Sequence, residues 1–384
     1  MKIGFSDQEY ARRIESIKQR IQEHHLDGAL VLDPYNVFYL GLYYHPGKRP
    51  VILYIHKDGT VIAVAPSMEA YGARKVKHFA EVYAYEDNYN AGADLYDHLK
   101  KSIDTNFGKI ANVAVDQVGL TAYQRLCDLF PNVSVEDMVF PSRIIKSDEE
   151  VTMLTASASY SDYIVGAGRA MLKPGVTELG LLNRMIVQTV DKMIEDMGEI
   201  IYVPGGPAGA LVPSGPRTAM PHALPSARVV QENESMLLSC GANVCGYRTE
   251  CERTFFLGSP SKEWRKAFEV MRRAQAMGIA LMQPGAVCED VDKQVLDFIR
   301  AEGYGDYIRH RTGHGKGLEE HETPYIAIGD KTVIQPGMIF SSEPGIYIEG
   351  MSGFRHSDII WVSKDGPVVL TQYPKDLDSM IIPV

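Results

Sequence analysis

Two carboxylates one residue apart on a single strand are the most chemically loaded feature of this sequence. The stretch GYRTECERTFF (246–256) is β-branched, aromatic and short of helix formers, so a strand is expected there. Side chains alternate along a strand, which sends Arg248, Glu250, Glu252 and Thr254 to one face. The ordinary explanation is a wet face with solvated charges. The chemical explanation needs partners, and three other segments offer them. MPHALPSARVV carries His222 between prolines. RHRTGHGKGLEEHETP (309–324) holds His310, His314 and His321 among glycines, which permit close backbone approach. IFSSEPGIYIEG places Glu343 at the end of an apolar run, where a carboxylate needs a partner or water. GFRHSDIIWV follows, with His356 and Asp358. Between two arginines, His310 reads as a solvated face, and Glu319, Glu320 and Glu322 read as surface charge.

Histidines beside clustered carboxylates supply proton transfer and cation binding. His222 is the candidate general acid/base, since an imidazole titrates near neutrality. Same-face positions i and i+2 lie roughly 6.5 Å apart. Glu250 and Glu252 are thus spaced to grip one planar amidinium or guanidinium by charge-assisted hydrogen bonds.

Two blocks of secondary structure must position these groups. Ser6 and Glu9 form a capping-box pattern that opens a helix over 6–25. DGALVLD reads as a buried strand, PVILYI and TVIAVAP as a hairpin turning at Asp58-Gly59, and IANVAVD and VSVEDM as strands around a helix over 120–129. Ser147 and Glu150 cap the helix that opens the second block. In that block MLKPGVTE (171–178) resembles LMQPGAVCED (281–290), and VVQENESMLLS (229–239) resembles VIQPGMIFSS (333–342). The matched offsets predict a duplicated unit of helices and antiparallel strands around a central site.

Bulk properties narrow the partners. The 384-residue chain is 45% apolar and 23% charged, with a net charge of −10 that argues against nucleic acid or an anionic membrane. No apolar run approaches a membrane span, and MKIGFSDQEYARR lacks the core of a signal peptide. Five cysteines without C-x-x-C spacing read as reduced thiols of a cytoplasmic protein.

In order and spacing, PSGPRTAMPHA, GYRTECERTFF, TGHGKGLEEHETP, SSEPGIY and GFRHSDIIWV resemble the creatinase/prolidase family of pita-bread hydrolases. The resemblance covers the whole chain. It implies an α+β architecture: a creatinase-type N-terminal α/β domain over 1–145, then a pita-bread catalytic domain over 146–384 with an internal pseudo-two-fold repeat. It also implies a homodimer. Peptidases of this family hold two divalent metals with two Asp, one His and two Glu. Carried over, those positions are Ser239, Glu250, His314, Glu343 and Ser357. Hydroxyls at two of the five make a poor dinuclear site.

Creatinase is the closer likeness in other details. ERT in place of the peptidases' TRT puts Glu252 where creatinase carries a functional glutamate. PGKRP (46–50) resembles the loop through which a partner subunit contributes an arginine, here Arg49. The resulting expectation is a metal-independent hydrolase of a C–N bond in a small amidine or cyclic amidine, similar to creatinase or ectoine hydrolase, with no cofactor. Its catalytic residues are His222, Glu252, Glu343, His314 and His321; Glu250, Tyr247, Arg49, Ser239 and Ser357 bind the substrate. Water attack through His222 and covalent attack by Glu252 both stay open. The alternative is an Xaa-Pro dipeptidase or aminopeptidase with one Mn, Zn or Co ion on Glu250, His314 and Glu343, which the retained HETP and SSEPGIY favour. A non-catalytic binding protein on the same fold is the third reading.

Overall fold

A computed structural model describes residues 4–41, 50–86, 91–198 and 205–384, with side chains from 95 onward in the third stretch. It divides into a unit of Gly4–Arg143 and a unit comprising Ile144–Val384. Arg49, with the loop that carries it, lies outside the described residues.

In the first unit a six-stranded mixed sheet is built on the strands Gly28–Val31 and Asn112–Val115, which pair in parallel at its centre. The Asp58-Gly59 turn joins Ile52–His56 to Val61–Pro66 as an antiparallel hairpin. Ser6 caps the helix Asp7–Glu23 by accepting from Glu9 N at 3.0 Å. Two further elements, the strand Phe79–Tyr85 and the helix Pro34–Gly41, lack a sequence signal as clear as the hairpin's.

The second unit opens with the helix Asp148–Met171, whose Ser147–Glu150 capping box is complete in both directions. Its duplication is written in the hydrogen bonds. Gly175 N donates to Val230 O at 2.9 Å, and Gly285 N to Ile334 O at 2.8 Å. The returning bonds, Val230 N to Val176 O and Ile334 N to Ala286 O, are both 2.8 Å. The two β-bridges also correspond, Thr177 to Val229 and Val287 to Val333. Each junction then starts a helix, Glu178–Met197 or Cys288–Ala301.

Four strands in the order Ile381–Ile382, Tyr247–Leu257, Ser235–Val244, Ala208–Leu211 make one sheet of this unit, and Glu322–Ile326, Gly313–Gly315, Ile339–Ser342, Asp358–Ser363 and Gly366–Val369 make another. A bridge between Glu252 and Ser357, with N···O distances of 3.1 Å both ways, links strands of the two sheets. Apolar side chains seal the outer faces: Leu238, Phe255, Phe256 and Phe268 in one cluster, Met338, Phe340 and Ile360 in another. Polar side chains are left to meet between the sheets. Among the described residues no helix is long and apolar enough to cross a membrane.

His356 instead packs against the apolar cluster, fully buried with its ring edge-on to Phe268 at 5.1 Å. Its Nδ1 faces Thr254 N–H at 3.4 Å and its Nε2 faces Lys375 O at 3.3 Å, which suits a neutral imidazole. Burial, and then the charge of Arg253, pull its pKa down to about 3. The unfolded chain therefore binds the extra proton between about pH 6.5 and 3, so this group's contribution is complete above pH 6.5 and is lost as pH falls. A slope on the order of 1.4 kcal/mol per pH unit is expected from it in that window. His356→Gln should flatten the curve in urea melts across pH 4–7; an unchanged slope would count against the assignment.

Candidate functional site

Register on the hairpin Ser235–Val244/Tyr247–Leu257 sets the site. Ser239 pairs with Glu252 and Gly241 with Glu250, so one position of each opposing strand contributes to the same floor. His314 comes from the short strand Gly313–Gly315, which closely approaches its neighbour: a Cβ on Gly313 would clash with Ser341 O. Glu343 follows the strand Ile339–Ser342, and its N–H donates to Thr312 O at 2.7 Å. These groups enclose a cavity of about 340 Å³ that His222, His321, Arg248, Arg355 and Glu320 also line. That volume suits a small ligand.

Glu250, His314 and Glu343 each offer a ligand atom, all within 4.8 Å of one another. His314 Nδ1 faces Gly315 O at 3.0 Å, an arrangement that fixes the ring with Nε2 turned inward, 3.2 Å from Glu343 Oε1 and 3.9 Å from Glu250 Oε1. Burial works to raise the Glu343 carboxyl, but His314, and then His310 and Arg355, hold it well below the usual carboxylate range. The His321 ring lies tilted at 50° against that of His314, with centroids 4.1 Å apart. Burial, then the charges of His314 and Lys316, lower its pKa to about 4. His222 is exposed at the cavity wall, following the 3₁₀ turn Gly215–Ala219.

Glu252 is buried, which rules out a wet, solvated face for it. It pairs with Arg355 Nε and accepts from Arg355 Nη2 at 2.9 Å and from Ser239 Oγ. Burial pushes its pKa up to about 7, against the pull of Arg355. Arg355 Nη1 extends the network to Tyr347 Oη at 3.0 Å, which in turn meets His310 Nε2 at 2.7 Å. Glu250 Oε1 accepts from Ser357 Oγ at 2.8 Å, and its Oε2 lies 2.7 Å from Lys316 Nζ. Burial disfavours the Lys316 charge, but Glu250 and Glu320 outweigh it and keep the ammonium protonated.

Several expectations need correction on this geometry. Tyr247 does not line the cavity; it is buried and its hydroxyl donates to Glu150 Oε1 at 2.8 Å. His310 is no solvated face, being bonded to Tyr347. Glu322 is not surface charge: it is buried and accepts from Leu318 N and Glu319 N, with Lys146 Nζ at 3.5 Å. Ser239 and Ser357 stand at the site but bond to its carboxylates. Arg355 and Lys316 were missed as functional groups. Their only signal was a cation inside an apolar strand (GFRHSD) and inside a glycine run (GHGKG).

Comparison with known proteins agrees with this architecture. The model of the metallopeptidase family M24 matches residues 152–364, and that of the creatinase/prolidase N-terminal domain matches 13–140. An Xaa-Pro dipeptidase of Lactobacillus helveticus is 31% identical, covering 97% of this chain and 99% of its own. The structure of a prolidase from Thermococcus sibiricus superposes with a TM-score of 0.84 at 28% identity, covering 99% and 100%. An Xaa-Pro dipeptidase from Bacillus anthracis gives a TM-score of 0.84 at 25% identity, covering 97% and 100%.

These relatives overturn the expectation of a metal-independent amidine hydrolase of the creatinase or ectoine hydrolase type. The physical reason is visible in the site: Glu250 and Glu252 already hold two cations of the chain itself, so they are not a free amidinium trap. The expectation of no cofactor falls as well, because the matching family is one of metallopeptidases and Glu250, His314 and Glu343 converge as a donor set fit for a divalent ion.

Proposed function

We propose a function from one premise: the chain belongs to the metallopeptidase family M24 and carries a creatinase/prolidase N-terminal domain. It is a hydrolase acting on carbon–nitrogen bonds, and the bond is the peptide bond of a small Xaa-Pro substrate. The observation that carries this reading is the convergence of Glu250, His314 and Glu343 on a cavity of about 340 Å³. Full-length likeness to Xaa-Pro dipeptidases supports the choice of substrate.

Glu250, His314 and Glu343 would hold a divalent ion. When bound, such an ion polarises a carbonyl and lowers the pKa of water. The chain's own residues do the rest. His222, exposed at the cavity wall, carries a proton to the departing proline nitrogen. His321, kept neutral against His314, offers a hydrogen bond to the developing oxyanion. Arg248 lines the cavity and pairs with the exposed Glu320 at 2.7 Å, an exchangeable partner whose place a substrate carboxylate takes. A homodimer in the cytoplasm extends the same reading, and the five free cysteines are consistent with a reducing compartment.

The test is hydrolysis of Xaa-Pro dipeptides by purified protein with Mn²⁺, Co²⁺ or Zn²⁺ added. Activity that vanishes on chelation and returns with metal is expected; indifference to chelation, or no cleavage of any such dipeptide, would sink the reading. His222→Ala should lower kcat/KM by about 10² to 10⁴. Because His222 is exposed, its melting temperature should not move. Arg248→Ala should raise KM for a dipeptide while leaving kcat within a few fold, and an unchanged KM would remove Arg248 from substrate binding.

A further inference from the structure

Two buried cations stand against the carboxylates of this cavity, and peptide hydrolysis by itself gives neither a task. Lys316 has no exposed surface. Its Nζ lies 2.7 Å from Glu250 Oε2 and donates to Glu320 O at 3.0 Å, while its backbone N–H is fixed on Ile339 O at 3.0 Å. Arg355 is equally enclosed and clamped on Glu252. Both serines reinforce the pattern by donating to these carboxylates, Ser357 to Glu250 and Ser239 to Glu252. A hydroxyl whose proton points at a carboxylate is a weak, neutral ligand at best.

Charge compensation then limits what the site can accept. At the mouth, Glu320 pairs with Arg248 at 2.7 Å and lies 3.4 Å from Lys316 Nζ. Taken together, Glu250, Glu252, Glu320 and Glu343 face Lys316, Arg355 and Arg248, which leaves one negative charge in excess. One divalent ion turns that excess into a single positive charge. Two divalent ions would leave three positive charges in a largely buried site, and uncompensated buried charge is costly.

We propose that the site binds a single divalent cation, and that the ammonium of Lys316 permanently supplies the positive charge a second ion would bring. The inference rests on the metallopeptidase reading for the presence of a metal at all, but it concerns stoichiometry and is read without turnover. Lys316 is a positioning residue: it holds Glu250 by one oxygen and leaves the other facing His314 Nε2, 3.9 Å away. Chelation removes the metal and leaves this cation in place.

Mn²⁺ titrated into metal-stripped full-length protein, followed by calorimetry, tests the proposal. One ion per chain is expected, with the six-line EPR signal of an isolated Mn²⁺. Two ions per chain, or the spectrum of a spin-coupled pair, would overturn it, and so would failure to bind any. Lys316→Met removes the like charge beside the ion and should tighten Mn²⁺ binding by about tenfold or more, or admit a second ion. Lys316→Arg, which keeps the charge, should hold the stoichiometry at one. A folded Lys316→Met protein, checked by circular dichroism, with unchanged affinity and stoichiometry would refute the role of Lys316. If that variant does not fold, the wild-type stoichiometry still decides. One ion per chain without cleavage of any Xaa-Pro dipeptide would defeat the peptidase reading and leave this inference standing; two ions with cleavage would do the reverse.

Discussion

Glu343→Gln is expected to remove metal binding and turnover together while leaving the fold intact. Glutamine keeps the shape of the side chain, and the backbone bond from Glu343 N to Thr312 O is untouched. What disappears is the charge 3.2 Å from His314 Nε2, on a carboxylate that, among the described residues, forms no ion pair with a Lys or Arg, unlike Glu250 and Glu252. A divalent ion held by Glu250, His314 and a neutral amide loses its strongest donor. On Xaa-Pro dipeptides kcat/KM should fall by about 10³-fold or more, equivalent to ~4 kcal/mol of transition-state stabilisation. Mn²⁺ affinity by calorimetry should fall in parallel. The assignment fails if the variant binds Mn²⁺ and cleaves as the wild type does. A variant that retains metal but loses turnover would move Glu343 from ligand to proton carrier.

The largest effect on stability is expected at Asp358. It and Arg253 are fully buried and meet at 2.8 Å. The rest of the Arg253 fork donates to the carbonyls of Glu252, Ser357, Tyr373 and Pro374. Asp358 accepts in addition from Gln275, Lys375 and Thr371. Every arm of the pair is used, so removing one partner strands the other in a dry interior. Asp358→Ala should cost about 3–5 kcal/mol. That corresponds to a melting temperature lower by roughly 10 °C or more. Replacing both partners with apolar residues, as in Arg253→Met with Asp358→Leu, should recover much of the loss. Burial tends to raise the Asp358 pKa, but Arg253 and Lys375 prevail and lower it. The sign follows: its stabilisation is present above the ordinary aspartate pKa and is lost as pH falls through the lowered one. A loss under 1 kcal/mol in urea melts would refute the account. Because Arg253 also grips the carbonyls at the Glu252–Ser357 bridge, Asp358→Ala should loosen the floor of the cavity, raising KM as well as lowering stability.

How far could the residues alone be read? Ser6 and Ser147 announce their helices because a cap is a contact between residues three apart. The Asp58-Gly59 turn fixes its hairpin for the same reason. The paired PG junctions at 174–175 and 284–285 reveal the duplication, since each needs a turn before a helix start. Glu250, His314 and Glu343 could be assembled into one site by the likeness of their segments to those of the family. The chemistry drawn from them was harder to read. Two carboxylates on one strand face look like a trap for an external amidinium as long as their counter-ions are unknown. Tyr247 was expected to bind substrate, yet its hydroxyl is claimed by Glu150 across the fold.

Sequence by itself determined the capped helices, the Asp58-Gly59 hairpin and the repeat, because capping, turn chemistry and strand alternation act over a few residues and leave local patterns; which acids and histidines meet came from the likeness of their segments to the family. Tertiary structure alone decided which charges neutralise which. Lys316 reaches Glu250 and Arg355 reaches Glu252 across long stretches of chain. A buried charge takes whichever counter-ion the packed sheets bring within about 3 Å, and spacing along the chain carries no record of that choice.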